Sequence, residues 1–179
     1  MIVPSKHRIV NIIASTDVGD ELNLDTIKML LDNCEYEPEI YYLLVYRLLK
    51  PKLSILVNKS GKILFTGATS LEDIIAARDL FFYELGLLGY NPIKNDILIH
   101  NIVFCAEIGR MIDIDTLSKS KSENDIKYNP KTFPGLILKN KNPKFTATIF
   151  KSGKIIIVGL KNFDEIFQTL KLLNRIIPS

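Results

Sequence analysis

The 179-residue chain contains no tryptophan, two histidines and two cysteines. Cys34 and Cys105 are too few for a disulfide framework or a thiolate zinc site, and a reducing compartment suits them best, as core thiols. His7 and His100 stand in no ligand or triad spacing, so surface roles fit them. No apolar run approaches the ~18 residues that span a bilayer. The start, MIVPSKHRIV, lacks the long apolar stretch of a secretory signal, so no membrane partner is expected. Carboxylates are scattered, with no acid–base pair on an informative spacing. Gly61-Lys62 and Gly153-Lys154 lack the earlier glycine and the following hydroxyl of a phosphate-binding loop, and read as hairpin turns. Nothing here indicates catalysis, a metal site or a cofactor. What is present is an ordinary globular composition, 47% hydrophobic and 24% charged, and enough chain to bury a sizeable core.

The net charge is +3, from 23 basic and 20 acidic residues. That is too mild to imply a nucleic-acid partner by itself. The halves differ, however. Residues 1–90 carry 9 basic and 12 acidic groups, net −3, and residues 91–179 carry 14 and 8, net +6. The asymmetry suggests a polyanion on one side, or different partners on each; a solvated basic face is the plainer alternative.

Self-comparison organises the chain. At a shift of 92, residues 36–67 match residues 128–159 at 11 of 32 positions, where chance gives roughly 2. The identities include Tyr36/Tyr128, Pro38/Pro130, Leu44/Leu136, Pro51/Pro143, Lys52/Lys144, Gly67/Gly159 and the run Lys59–Ile63 with Lys151–Ile155. Asn11-Ile12 matches Asn101-Ile102 at a shift of 90, and the two extra residues fall in the polar stretch Ser118–Asp125. The expectation is two repeats of one ancestral domain, residues 1–90 and 91–179, related by a pseudo-twofold axis.

Each repeat reads alike. A strand (Arg8–Ala14; Ile97–Cys105) precedes a short helix (Leu24–Asn33; Ile112–Leu117). Strands follow at Tyr41–Leu49, Leu53–Val57 and Lys62–Thr66, with counterparts Phe133–Lys139, Phe145–Phe150 and Lys154–Val158. Pro51 and Pro143 sit in connections, where a missing N–H does no harm. Ser60-Gly61 and Ser152-Gly153 form tight turns. A long helix closes each repeat, after the capping-box patterns Ser70-x-x-Asp73 and Asn162-x-x-Glu165. In the first of these helices Ile74, Ile75, Phe81, Leu85 and Leu88 are expected to form the apolar face. Pro178 closes the chain. The order predicts an α+β fold, an antiparallel sheet with helices on one face.

The other sheet face is unusual. Lys52, Ser54, Leu56 and Asn58 share it with Lys62, Leu64 and Thr66; in the second repeat it holds Lys144, Thr146, Thr148, Phe150, Lys154, Ile156 and Val158. Ile55, Val57, Ile63, Phe145, Ala147, Ile149, Ile155 and Ile157 are expected to face the helices. An aliphatic, threonine-rich centre with lysines at its margins wants a partner apolar in the middle and anionic at the edges. A dimer interface or a two-sided core fits the pattern; so does a DNA minor groove, with sugars and base edges inside and phosphates flanking.

Particular motifs carry a resemblance. They are Asn11-Ile12-Ile13 and Asn101-Ile102-Val103, Tyr36-Glu37-Pro38 and Tyr128-Asn129-Pro130, and Phe133-Pro134-Gly135-Leu136-Ile137. Ile149-Phe150-Lys151-Ser152-Gly153-Lys154 follows, with Ser60-Gly61-Lys62 and Thr66-Gly67-Ala68 in the first repeat. Over about residues 8–176 the sequence resembles the TATA-box-binding protein family. The resemblance implies a saddle-shaped, ten-stranded curved antiparallel sheet under four helices, with DNA on the concave face. It also implies TATA-element recognition and nucleation of the RNA polymerase pre-initiation complex. Minor-groove wedging and kinking come with it, since this family is itself the type example of that mechanism.

On that resemblance the groups contacting DNA are assigned residue by residue. Ile13, Leu56, Leu64, Val103 and Ile156 form a non-accepting floor that leaves the guanine amino group unsatisfied. Asn11, Asn101 and Thr66 reach base edges, and Ser54, Thr146, Thr148 and Ser152 line the same surface. Arg47, Lys52, Lys62, Lys139, Lys144 and Lys154 reach phosphates. Phe133 and Phe150 stand at wedge positions, whose first-repeat counterparts are Tyr41 and Asn58. The family's acidic pair that docks transcription factor B aligns with Asn129 and Lys131, while acids stand at Glu37 and Glu39, the expected protein-contact residues here. Val158 replaces the threonine matched by Thr66. The alternative function is a divergent relative serving mainly as a protein-interaction module, with weak or relaxed DNA binding. A homodimer off DNA is a further possibility. The stretch Gly89–Asn101 and Cys105 align without gaps to the eukaryotic form, which points to a nucleus rather than an archaeal cytoplasm or nucleoid.

Overall fold

The computed structural model describes residues 6–119 and 125–177. The proposed insertion within Ser118–Asp125 falls largely, and Pro178 wholly, outside them. The described residues form ten strands and four helices, and the chain divides into two compact units. One is Asn11–His100; the other joins the chain up to Val10 with Asn101 onward.

In the first unit the strands are β1 (Lys6–Asp17, its first five residues in the other unit), β2 (Cys34–Glu37), β3 (Tyr41–Leu49), β4 (Lys52–Val57) and β5 (Lys62–Ala68). They lie in the order β2-β3-β4-β5-β1, each neighbouring pair antiparallel. Helices α1 (Leu24–Leu30) and α2 (Leu71–Leu87) cover one face. In the second unit β6 (Leu98–Glu107, the first three residues in the first unit), β7 (Asp125–Lys127), β8 (Leu136–Asn140), β9 (Phe145–Ile149) and β10 (Lys154–Leu160) lie in the order β6-β10-β9-β8-β7. Its helices are α3 (Ile114–Ser118) and α4 (Asp164–Ile176). The two short edge strands β2 and β7 carry charged residues at alternate positions and were not among the strands read from the residues.

The alternation sorts the residues as expected. Ile55, Val57, Ile63, Ala147, Ile149 and Ile157 are fully or almost fully buried, as are Phe145 and Ile155. Burying each of these Ile, Val and Phe side chains contributes ~1.5–3 kcal/mol. Ser70 Oγ accepts the Asp73 N–H, as the capping pattern predicts. Asn162 Oδ1 accepts the Glu165 N–H, and Glu165 reaches back to the Lys161 N–H, one residue before the expected partner. The apolar face of α2 is Ile74, Ala77, Phe81, Phe82 and Leu85. Ile75 is not in it: one residue from Ile74 is a turn of about 100°, and its side chain is exposed. Helix α1 stops at Leu30, short of Asn33, which takes a positive φ of 60°. Strand β8 begins at Leu136, because Pro134 has no N–H for the ladder and Phe133 belongs to the preceding turn. Gly61 and Gly153 have φ of 85° and 88°, and a Cβ on either would collide with the carbonyl oxygen of Asp20 or Arg110.

Candidate nucleic-acid interface

In each unit the sheet face away from the helices has the same layout. In the first, Val45 pairs with Leu56, Leu56 with Leu64, and Leu64 with Ser15. The matching row in the second is Ile137, Thr148, Ile156 and Cys105. A second row runs Arg47, Ser54, Thr66 in the first unit and Lys139, Thr146, Val158 in the second. Ile13 and Val103 are half-buried one pleat from these rows. The floor is thus half-buried aliphatic and hydroxyl side chains. Lys52, Lys62, Lys144 and Lys154 are exposed at strand ends, as the charge pattern implies.

Both asparagines are held by a backbone bulge. The β1–β5 register shifts between Ile12 and Ala14, and the β10–β6 register between Ile157 and Leu160. Gly67 and Gly159 sit at these shifts with φ of 95° and 100°, a conformation glycine adopts without strain. Their N–H groups donate to Asn11 Oδ1 at 2.7 Å and Asn101 Oδ1 at 2.8 Å. A backbone N–H only donates, so the bond fixes each amide with oxygen inward. The two N–H bonds of each Nδ2 are left to donate to an acceptor above the sheet. Adenine N3 and thymine O2 are such acceptors.

The wedge positions differ between the units. Phe133 and Phe150 meet edge-to-face at 6.0 Å, with Phe133 still 42% exposed. The loop places Phe133: its N–H and that of Thr132 both donate to the Asn129 carbonyl. Gly135 leaves the rings room, for a Cβ there would lie 2.7 Å from the Phe133 ring and 3.2 Å from that of Phe150. In the first unit Tyr41 packs on Tyr42 at 5.5 Å, both exposed. Asn58 is a turn residue whose Oδ1 accepts the Ser60 N–H at 2.9 Å. Its backbone makes the same hairpin bonds as Phe150.

Electrostatics qualify the cation set. Arg47 is bound bidentately by Glu35, Nε to Oε1 at 3.1 Å and Nη2 to Oε2 at 3.0 Å, with both side chains exposed. That hydrogen bond, and then the charge, holds the Glu35 carboxyl below its usual range and raises the guanidinium. A phosphate contact from Arg47 therefore competes with this carboxylate for the charge, although three of the five guanidinium N–H donors remain outside the pair. Asp17 stands opposite Lys62, Glu107 opposite Lys154 and Asp125 opposite Lys139. These carboxylates were missed by sequence reasoning, as was the spacing role of Gly135. The strand register, once known, identifies the former; the latter depends on where two rings meet. Glu37 and Glu39 are exposed at the end of β2 and in the turn after it, where the Ile40 N–H donates to the Glu37 carbonyl. His100 Nε2 lies 2.6 Å from Ser15 Oγ, and among the described residues no group of three or more His, Cys, Asp or Glu side chains could hold a metal ion. No described helix is long and apolar enough to cross a membrane.

Residues 6–86 and 96–179 match the family described as transcription factor TFIID (or TATA-binding protein, TBP). The chain is 37% identical over 172 residues to the TATA-box-binding protein of Methanococcus aeolicus, covering 96% of this chain and 93% of that one. It is 37% identical over 171 residues to that of Methanocaldococcus jannaschii, covering 95% and 92%. A solved structure, Methanococcus jannaschii TBP, superposes with a TM-score of 0.87 at 37% identity, covering 96% of this chain and 97% of that one. These relatives are archaeal, which corrects the nuclear expectation: a short gapless stretch and one cysteine weigh less than identity along the whole chain. The α+β architecture of ten antiparallel strands and four helices is the one the resemblance implied. By its matched residues, its identity to these relatives and its fold, the chain belongs to the TATA-box-binding protein family.

Proposed function

We infer that this chain is a general transcription factor that binds TATA-element DNA in the minor groove, bends it, and nucleates assembly of an RNA polymerase pre-initiation complex. The observation that carries this reading is the duplicated asparagine–glycine lock, which presents two amide donors beside a floor that offers guanine N2 few acceptors. The interaction-module alternative is not favoured. Binding to a TATA duplex and to a G·C-rich control, titrated with salt, tests the reading. Tighter binding to the TATA duplex at every salt concentration is expected, with log K falling linearly in log salt for both. Equal affinity for the two duplexes contradicts it.

The finer features belong to the same proposal. Phe133 and Phe150 wedge open one base step, while Tyr41 and Asn58 open the other less, because an amide does not replace the stacking of an apolar ring. A complex with two equal kinks would refute this. A transcription factor B-like partner docks by a basic surface on Glu37 and Glu39 rather than on the Asn129–Lys131 loop. The exposure of both acids and the lysine in the second loop support that placement. With archaeal relatives, an archaeal cytoplasm is the compartment in which these partners are met.

A further inference from the structure

The two units solve one packing problem with opposite residue sizes. Strands β3 and β4 pair Leu44 with Val57, and β8 and β9 pair Leu136 with Ile149. One step beyond, the register sets Leu43 opposite Asn58 and Gly135 opposite Phe150. In the second unit the small residue is on the first strand and the large ring on the second. Adding even a Cβ to Gly135 would crowd Phe133, Thr148 and Phe150 at 2.7, 2.8 and 3.2 Å. In the first unit the leucine stands where the glycine would be, and the residue opposite is a short amide. Leu43 and Asn58 line a groove of about 570 Å³ that also takes in Tyr42, Leu56, Leu64 and Ser15. An aromatic ring at position 58 would meet Leu43.

We propose that Leu43 and Asn58 form a coupled pair that replaces the wedge with a base-reading contact, making the first-repeat end of the DNA site tolerant of G·C. This rests on the minor-groove reading above. Asn58 Oδ1 accepts the Ser60 N–H, which leaves it one lone pair, and Nδ2 keeps both its N–H bonds. The oxygen can accept from guanine N2, and the nitrogen can donate to the ring-nitrogen and carbonyl acceptors of the minor groove. Phe150 offers neither, so a guanine amino group at the other end stays unsatisfied. The recess over Leu43 receives the edge of a base pair whose step is opened less than at the other end. The protein thereby distinguishes the two ends of its site and binds it in one orientation.

The test places a single G·C pair at one end or the other of an A/T-rich duplex. With the wild-type chain, one end should cost roughly tenfold in affinity and the other less than about threefold. In L43G/N58F the two ends should cost the same, and 2-aminopurine reporters should show two equally opened steps instead of two unequal ones. N58F alone should not, because the ring meets Leu43. The reciprocal G135L/F150N should make both ends tolerant, which guards against a first-unit variant that folds poorly. Equal end costs in the wild-type chain overturn this inference while leaving DNA recognition intact; so does N58F behaving like the double variant. Failure to bind any A/T-rich duplex overturns the functional reading and this inference with it.

Discussion

At the scale of single residues, two positions separate folding from recognition. Asn101 uses its oxygen inward and its nitrogen outward. Asn101→Asp keeps an acceptor for the Gly159 N–H but loses the donor and sets a negative charge toward the DNA. It should fold with a melting temperature near wild type and lose most TATA binding. Asn101→Ala also leaves the bulge N–H without its partner, so it should lose binding and about 1 kcal/mol of stability. Thermal melts alongside duplex titrations check both; a stable Asp variant that still binds tightly contradicts the amide assignment. Gly135→Ala makes the complementary point. The atoms its Cβ would meet are two ring edges and the Thr148 methyl; the Phe133 ring is free to swing into solvent, but Thr148 is held in β9. Stability should fall by about 1 kcal/mol, while the bend reported by end-to-end fluorescence transfer should shrink. Cys34, expected as a core thiol, is half-buried on the edge strand β2. Burial, and then the nearby Glu84 and Asp32 charges, push it up to about 11. A raised thiol pKa favours the folded state only while the thiol is protonated, so its contribution fades as pH rises above the unfolded value of about 8.5. Alkylation by iodoacetamide at pH 9 should be at least tenfold slower folded than in denaturant, with the folded rate still climbing toward pH 11.

At the scale of elements, legibility followed the source of each signal. The hairpins at Gly61 and Gly153 were legible because positive φ and backbone crowding leave only glycine there. The alternation of Leu53–Val57 and Phe145–Ile149 was legible because one face is wholly buried. The edge strands β2 and β7 were not: Cys34–Glu37 and Asp125–Lys127 alternate charge on an open edge and are fixed only by pairing with β3 and β8. Phe133 reads as strand because it adjoins the apolar run that ends at Lys139, but Pro134 has no N–H for the ladder and the Phe133 ring is exposed. Of the site, the floor and the lysines were visible in the repeat; the Arg47–Glu35 pair was hidden, since it joins adjacent strands 12 residues apart. The edge that β2 forms also sets the partner prediction. Glu37→Lys with Glu39→Lys should weaken the ternary complex with a factor B-like protein and leave DNA binding unchanged, since exposed rim charges act mainly on association rate. Wild-type pull-down by the double variant, together with a silent Lys131→Glu, would sink that placement.

At the scale of the whole molecule, charge and shape are unevenly divided. Residues 91–179 hold a net +6 and residues 1–90 a net −3, and the ring pair with its spacing glycine is in the second unit alone. The counter-acids refine what this means. Lys62 and Lys154 each face a carboxylate across the ladder, Asp17 and Glu107. The strand-end lysine Lys52 instead faces Leu49, and Lys144 stands just before β9. The local layouts therefore match, and any difference between the two lysine pairs must come from the field of the surrounding unit. Positive potential around the second unit draws the phosphates nearer and holds more of them in contact, so each of its lysines releases close to one counterion on binding. In the first unit the acids, including the Glu35 paired with Arg47, offset the basic charge, so fewer phosphates are neutralised and fewer cations leave the DNA. Lys144→Glu and Lys154→Glu should each flatten the slope of log K against log salt by about one and weaken binding to every sequence alike. Lys52→Glu and Lys62→Glu should flatten it by clearly less. Equal slope changes from the two pairs would mean that the phosphates sample both units alike, and that the charge asymmetry serves the protein partners instead.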